Sequence, residues 1–110
     1  MMKHTLLTLF MFLSLLCHGQ SYKFFTTDRE LSSSLINKIY QDRNGMIWIA
    51  TEDGLNRYDG AKFVIYKHDP ENEHSLCHNY VRALYEDSKG RLFVGTYNGI
   101  QLYDPATDSF

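Results

Sequence analysis

The chain has little cysteine, no surplus of basic charge and no apolar run long enough to cross a membrane. Two cysteines occur in 110 residues. Cys17 falls in an N-terminal stretch that reads as a removable leader, so Cys77 is left without a partner and an internal disulfide is excluded. Small exported domains that cannot build a core usually need such staples, so this one must find its stability elsewhere. Lys and Arg number 11 against 13 Asp and Glu. That balance lacks the positive surplus with which proteins neutralise phosphates, and no nucleic-acid partner is expected. The run of apolar and small residues at Thr5–Cys17 has 13 residues, whereas a helix needs about 20 to span a bilayer.

That run reads as an address. Lys3 supplies a positive flank, and Cys17 and Gly19 stand at the −3 and −1 positions of a cleavage site. Residues 1–19 are therefore expected to be a secretory signal peptide, with a mature start at Gln20. Leu16 is too large for the small residue that normally precedes a lipidated cysteine, so a lipid anchor at Cys17 is not expected. Loss of Lys3 leaves 10 Lys and Arg against the same 13 Asp and Glu, a mature net charge of −3.

The body of the chain says nearly the same thing twice. Residues 39–61 and 84–106 align at an offset of 45 with no insertion. Tyr40 meets Tyr85, Asp42 meets Asp87, Gly45 meets Gly90, and Thr51 meets Thr96. Gly54 meets Gly99, Tyr58 meets Tyr103, and Asp59 meets Asp104. Other pairs exchange like for like, as in Trp48/Phe93, Ile49/Val94 and Leu55/Ile100. A period of roughly 40–50 residues points to a repeat architecture, β-propeller blades among them. One such unit cannot bury its apolar face alone, so the two belong to something larger.

The punctuation is that of β-structure. Asp42–Gly45 and Asp87–Gly90 place Asp first and Gly fourth, the pattern of a type I turn followed by a residue that tolerates positive φ. Asp53-Gly54 and Asn98-Gly99 are two-residue hairpin signals in which both central residues favour positive φ. Strands are expected at Ile36–Gln41, Met46–Thr51, Leu55–Tyr58 and Lys62–Lys67, then at Val81–Glu86, Arg91–Thr96 and Ile100–Tyr103. Tyr22–Thr26 resembles Lys62–Lys67 and reads as the outer strand of an incomplete blade. Met46–Ala50 is apolar at every position and Leu92–Gly95 nearly so, which implies cover on both faces. Ala50 and Gly95 share a repeat position and mark a close approach. Residues 68–79 are polar and read as the connection between blades. The fold class is all-β: two antiparallel blades plus a partial strand of a third, an incomplete propeller. Repeat one covers about 35–67 and repeat two about 80–110, within a single region spanning 20–110.

At Asp42–Asp59, where Gly45, Ile47-Trp48-Ile49, Thr51 and Gly54-Leu55-Asn56-Arg57-Tyr58 fall at fixed spacings, the chain resembles the two-component regulator propeller repeat. The second copy departs from the pattern with Phe93 for the tryptophan and Gln101-Leu102 for Asn-Arg. The resemblance implies the N-terminal, exported sensor region of a hybrid two-component histidine kinase of the Bacteroidetes type. In that setting further repeats, an immunoglobulin-like spacer, a transmembrane helix and a cytoplasmic kinase follow, and many members respond to glycan fragments. No phosphoacceptor histidine box or ATP-binding glycine motif occurs here, so kinase activity attaches to no residue of this chain.

The candidate chemistry is sparse. His68, His74, Cys77 and His78 lie within eleven residues, but their spacing fits no closed metal site, and no metal is expected. Asp42, Asp59, Asp87 and Asp104 recur once per repeat beside turns. A catalytic pair would be unique, so these read as caps on turn amides, and no catalytic residue or cofactor is assigned. Trp48 and Phe93 sit mid-strand and read as core. Glu52 and Tyr97 differ between repeats and sit at a hairpin turn, where variation on a rigid frame carries specificity; they are the candidate ligand-binding residues. The function expected is ligand sensing in the periplasm, with the parent anchored in the inner membrane by a helix outside this chain. Its partners would be a glycan or other small ligand, and further blades or a dimer partner to complete the fold. An exported adhesion or scaffolding propeller, or a propeller lyase or glycan-active enzyme, is the alternative.

Overall fold

The computed structural model describes residues 30–110. The expected signal peptide at 1–19 and outer strand at 22–26 lie outside the described residues. Seven strands follow: β1 (Ile36–Gln41), β2 (Ile47–Thr51), β3 (Gly54–Tyr58), β4 (Phe63–Tyr66), β5 (Val81–Glu86), β6 (Leu92–Thr96) and β7 (Gly99–Leu102). They form a four-stranded antiparallel sheet β1-β2-β3-β4 and a three-stranded one β5-β6-β7. Each is a meander, and the second repeats the first in detail. Both inner strands carry a register shift at the same repeat position, between Ile36 and Lys38 and between Val81 and Ala83.

The turns show why the repeat keeps its residues. Asp42 Oδ1 accepts the amides of Asn44 and Met46 at 2.9 and 3.0 Å. Asp87 Oδ1 accepts those of Lys89 and Arg91 at 3.0 and 2.8 Å. Asp59 and Asp104 cap the next turn of each blade in the same way. At the hairpins the geometry corrects the sequence expectation. Thr51 pairs with Gly54 and Thr96 with Gly99, so the central residues are Glu52-Asp53 and Tyr97-Asn98. Asp53 and Asn98 do not take positive φ; the glycines do, at +122° and +125°. The threonine hydroxyls close the turns, donating to Gly54 and Gly99 carbonyls and accepting the amides of Asp53 and Asn98.

The two sheets pack through one core. Trp48, Ala50 and Leu55 of the first meet Val81, Leu84, Leu92, Val94 and Tyr103 of the second. Cover on both faces holds for most of β2, where Trp48, Ile49, Ala50 and Thr51 are all buried and Ile47 is half-buried. It is not so for β6, where Leu92, Val94 and Thr96 are buried and Phe93 and Gly95 only half so. Trp48 is therefore core, whereas its repeat mate Phe93 lies on the outer face of the second sheet beside Tyr85. The connection 68–79 is also more than a solvated link: Leu76 within it is wholly buried in the shared core. Leu31, 45 residues earlier, is buried too. Gly95 sits against Ala83, where an added Cβ would approach the Ala83 Cβ to 3.3 Å.

Candidate functional site

Antiparallel meanders place alternate turns at opposite ends of a blade. The β2–β3 and β6–β7 hairpins and the β4–β5 connection therefore share one end. Here the structure brings Glu52 and Tyr97 together, through a residue the sequence did not single out. Tyr80 donates its hydroxyl proton to Glu52 Oε1 at 3.0 Å and stacks its ring on Tyr97 at 4.2 Å, 11° from parallel. The Glu52 hydrogen bond, with partial burial and Tyr97, pushes the Tyr80 phenol above its usual range. The Arg82 guanidinium lies 5.0 Å from the Tyr97 ring centre, and the His78 ring meets Tyr97 edge-on at 5.8 Å. Tyr97 remains 56% exposed. Backbone bonds hold the frame: the Glu52 amide donates to the Leu35 carbonyl and the Tyr97 amide to Tyr80, again 45 residues apart.

The result is an aromatic platform flanked by one carboxylate and one guanidinium, and it straddles the joint between the two sheets. Glu52 belongs to the first blade, whereas Tyr80, Arg82 and Tyr97 belong to the second. Glu52 Oε2 has no partner among the described residues, so the site offers a free acceptor beside an exposed ring. The signal that would have revealed Tyr80 and Arg82 is their place at the start of the second repeat, opposite Leu35 and Asn37 in the first.

The His and Cys residues of the connection are engaged separately. His68 Nδ1 shares a hydrogen bond with the Leu76 carbonyl, and His78 Nδ1 accepts the Tyr80 amide. His74 lies 3.5 Å from Glu73, and Cys77 Sγ lies 3.0 Å from Thr96 Oγ1. Among the described residues no three metal-ligating side chains converge. No helix among them is long and apolar enough to cross a membrane.

Further along the joint, on its outer side, Asp108 Oδ1 accepts hydrogen bonds from Tyr66, Tyr103 and Arg57. Arg57 also lies 5.7 Å from the Trp48 ring centre and 5.8 Å from that of Tyr66. Burial alone would push the Asp108 carboxyl up, but the two phenols and the guanidinium outweigh it and hold it below its usual range. At the inner edge, Tyr40 donates to Glu86 and the Asn37 amide to the Val81 carbonyl. The joint is thus tied at several points, by residues the repeats share, such as Tyr40 and Tyr103, and by ones they do not, such as Asn37 and Arg57.

Repeated meanders that stack face to face, each burying its neighbour's apolar strand, define successive blades of an open propeller. The comparisons with known proteins agree. Residues 30–53 and 75–98 match the two component regulator propeller model, again 45 residues apart. The chain carries two copies of that repeat. Histidine kinase P4 of Formosa agariphila is 41% identical over 72 residues, a match that covers 62% of this chain and 5% of that protein. The extracellular domain of BT4673 from B. thetaiotaomicron, a candidate one component system, superposes with a TM-score of 0.64 at 24% identity. That superposition covers 81% of this chain and 13% of the solved one. The chain therefore spans a small fraction of either relative.

Proposed function

We propose that this chain is part of the ligand-sensing propeller of a two-component sensor, exported to the periplasm and acting by binding rather than catalysis. The observation that carries the reading is the bridge from Glu52 through Tyr80 to Tyr97 across the blade joint. A pair that differs between the repeats meets there, half-buried Glu52 beside exposed Tyr97, on a frame whose turn residues the repeats share. A ligand that grips both blades stabilises one relative placement of them, and a sensor needs such a differential contact to shift its output.

The chemistry of the site suits a glycan. An exposed tyrosine ring offers an apolar face to the C–H face of a sugar, and a free carboxylate oxygen accepts from its hydroxyls. The likeness to a histidine kinase supports a parent that carries its kinase and its inner-membrane helix outside this chain. A further repeat, or a dimer partner, would cover the outer face of the second blade. The test is a titration of neutral oligosaccharides into the full chain, followed by calorimetry. Binding that Tyr97→Ala and Glu52→Gln each weaken supports the reading. Binding that neither substitution changes contradicts it.

A further inference from the structure

At the opposite end of the joint lies a second recess that plays no part in the proposed ligand platform. It is a cleft of about 710 Å³ between the β1–β2 and β5–β6 turns, within the size range of small-molecule sites. Trp48, Met46, Leu92 and Tyr103 give it an apolar lining. Its polar lining is unequal in a way that selects a ligand.

The carboxylates at the cleft are mostly engaged. Asp42 uses Oδ1 on two turn amides and Oδ2 on the Trp48 indole N–H at 2.8 Å. Both Glu86 oxygens accept the Arg43 amide, and Oε1 accepts the Tyr40 hydroxyl as well. Asp104 gives one oxygen to the Ala106 amide, and its other oxygen has no partner among the described residues. Of the donors, Arg57 is held by Tyr103 and Asp108 and the Trp48 indole by Asp42, but two others are unengaged. The Lys89 ammonium has no partner among the described residues, nor has the Asn44 side-chain amide. Arg91 uses Nε on Asp87 at 2.6 Å and lies 5.8 Å from the Phe93 ring centre, while its terminal nitrogens have no hydrogen-bond partner among the described residues. An occupant therefore meets free donors above an apolar lining.

We infer that this cleft binds a small organic anion with an apolar body. The anionic group sits toward Lys89 and Arg91, and the body lies toward Trp48 and Leu92. Trp48 is the sole tryptophan, so its fluorescence reports the cleft directly. The probe is cyclohexanecarboxylate, which does not absorb with tryptophan, titrated into the full chain at low salt. Its neutral analogue cyclohexanecarboxamide and inorganic sulfate are the controls. A saturable change in Trp48 emission is expected with the carboxylate and not with either control. Lys89→Gln removes an exposed, unpartnered charge and should weaken binding about fivefold at an unchanged melting temperature. Asp104→Asn removes a like charge and should tighten it, and added salt should weaken it. Glu52→Gln with Tyr97→Ala, at the other end, should leave it unchanged, so the inference stands or falls apart from the glycan reading. No saturable change, an equal response to the amide, or an affinity indifferent to Lys89→Gln would overturn it.

Discussion

Tyr40 of the first blade donates its phenolic proton to Glu86 of the second across 3.0 Å, and the Glu86 side chain is only 8% exposed. The bond raises the Tyr40 pKa and closes the inner edge of the joint. Its repeat mate, Tyr85, has no hydrogen-bond partner among the described residues and is 65% exposed. Ile100 is 76% exposed where its mate Leu55 is wholly buried. The outer face of the second blade thus presents the same contacts that the first blade satisfies.

Such a face invites self-association. Ile100→Lys is expected to reduce aggregation of the isolated chain without lowering its melting temperature, read by light scattering and circular dichroism. Leu55→Lys at the matching position in the first blade is expected to abolish folding, because it would place an unpaired charge in the core. Equal behaviour of the two variants would mean that the blades do not stack in this order.

Trp48 and Phe93 share a repeat position but not an environment. Trp48→Ala should cost about 3–5 kcal/mol, the range for emptying a large buried site. Phe93→Ala, on the uncovered face, should cost about 1 kcal/mol or less. Chemical denaturation of both variants measures the difference.

Asp108 gives the joint a dependence on acid. Its folded pKa is held below the ordinary carboxylate value of 3.8, so the unfolded chain binds the proton more readily. The stabilisation is present above that ordinary value and is lost as pH falls through the folded one. Melting temperature should therefore drop as pH is lowered from about 5 toward 2. The Asp108 side chain is 46% exposed, so screening by water limits the effect; Asp108→Asn should cost about 1 kcal/mol at neutral pH. The variant should also show a shallower acid slope than the parent, measured by thermal melts across that range.

Much of this architecture is legible in the residues alone. All seven strands fall within a residue of the expected positions at their starts and ends, because Asp-x-x-Gly turns and the 45-residue offset fix them. The lateral asymmetry is not legible. Trp48 and Phe93 look alike in sequence, and only the stacking order decides which is covered. The role of Leu76 is hidden because it stands alone in a polar stretch, visible only when paired with Leu31. The Asp-Gly and Asn-Gly signals place the hairpin centres one residue late, since Gly54 and Gly99 close the strand pairs rather than form the turn centre. Glu52 and Tyr97 could be chosen for their variation, but their link through Tyr80 is a property of blade packing.

On the function we propose, a ligand read by Glu52 and Tyr97 sets the output of a two-component sensor. The direct measurement is ligand-dependent autophosphorylation of the intact sensor carrying these repeats, compared between the parent and a Glu52→Gln, Tyr97→Ala variant. We predict that the variant keeps its basal phosphorylation and needs at least tenfold more ligand for the same response, a loss of about 1.4 kcal/mol in binding. An unchanged dose response in a properly folded variant would contradict the account.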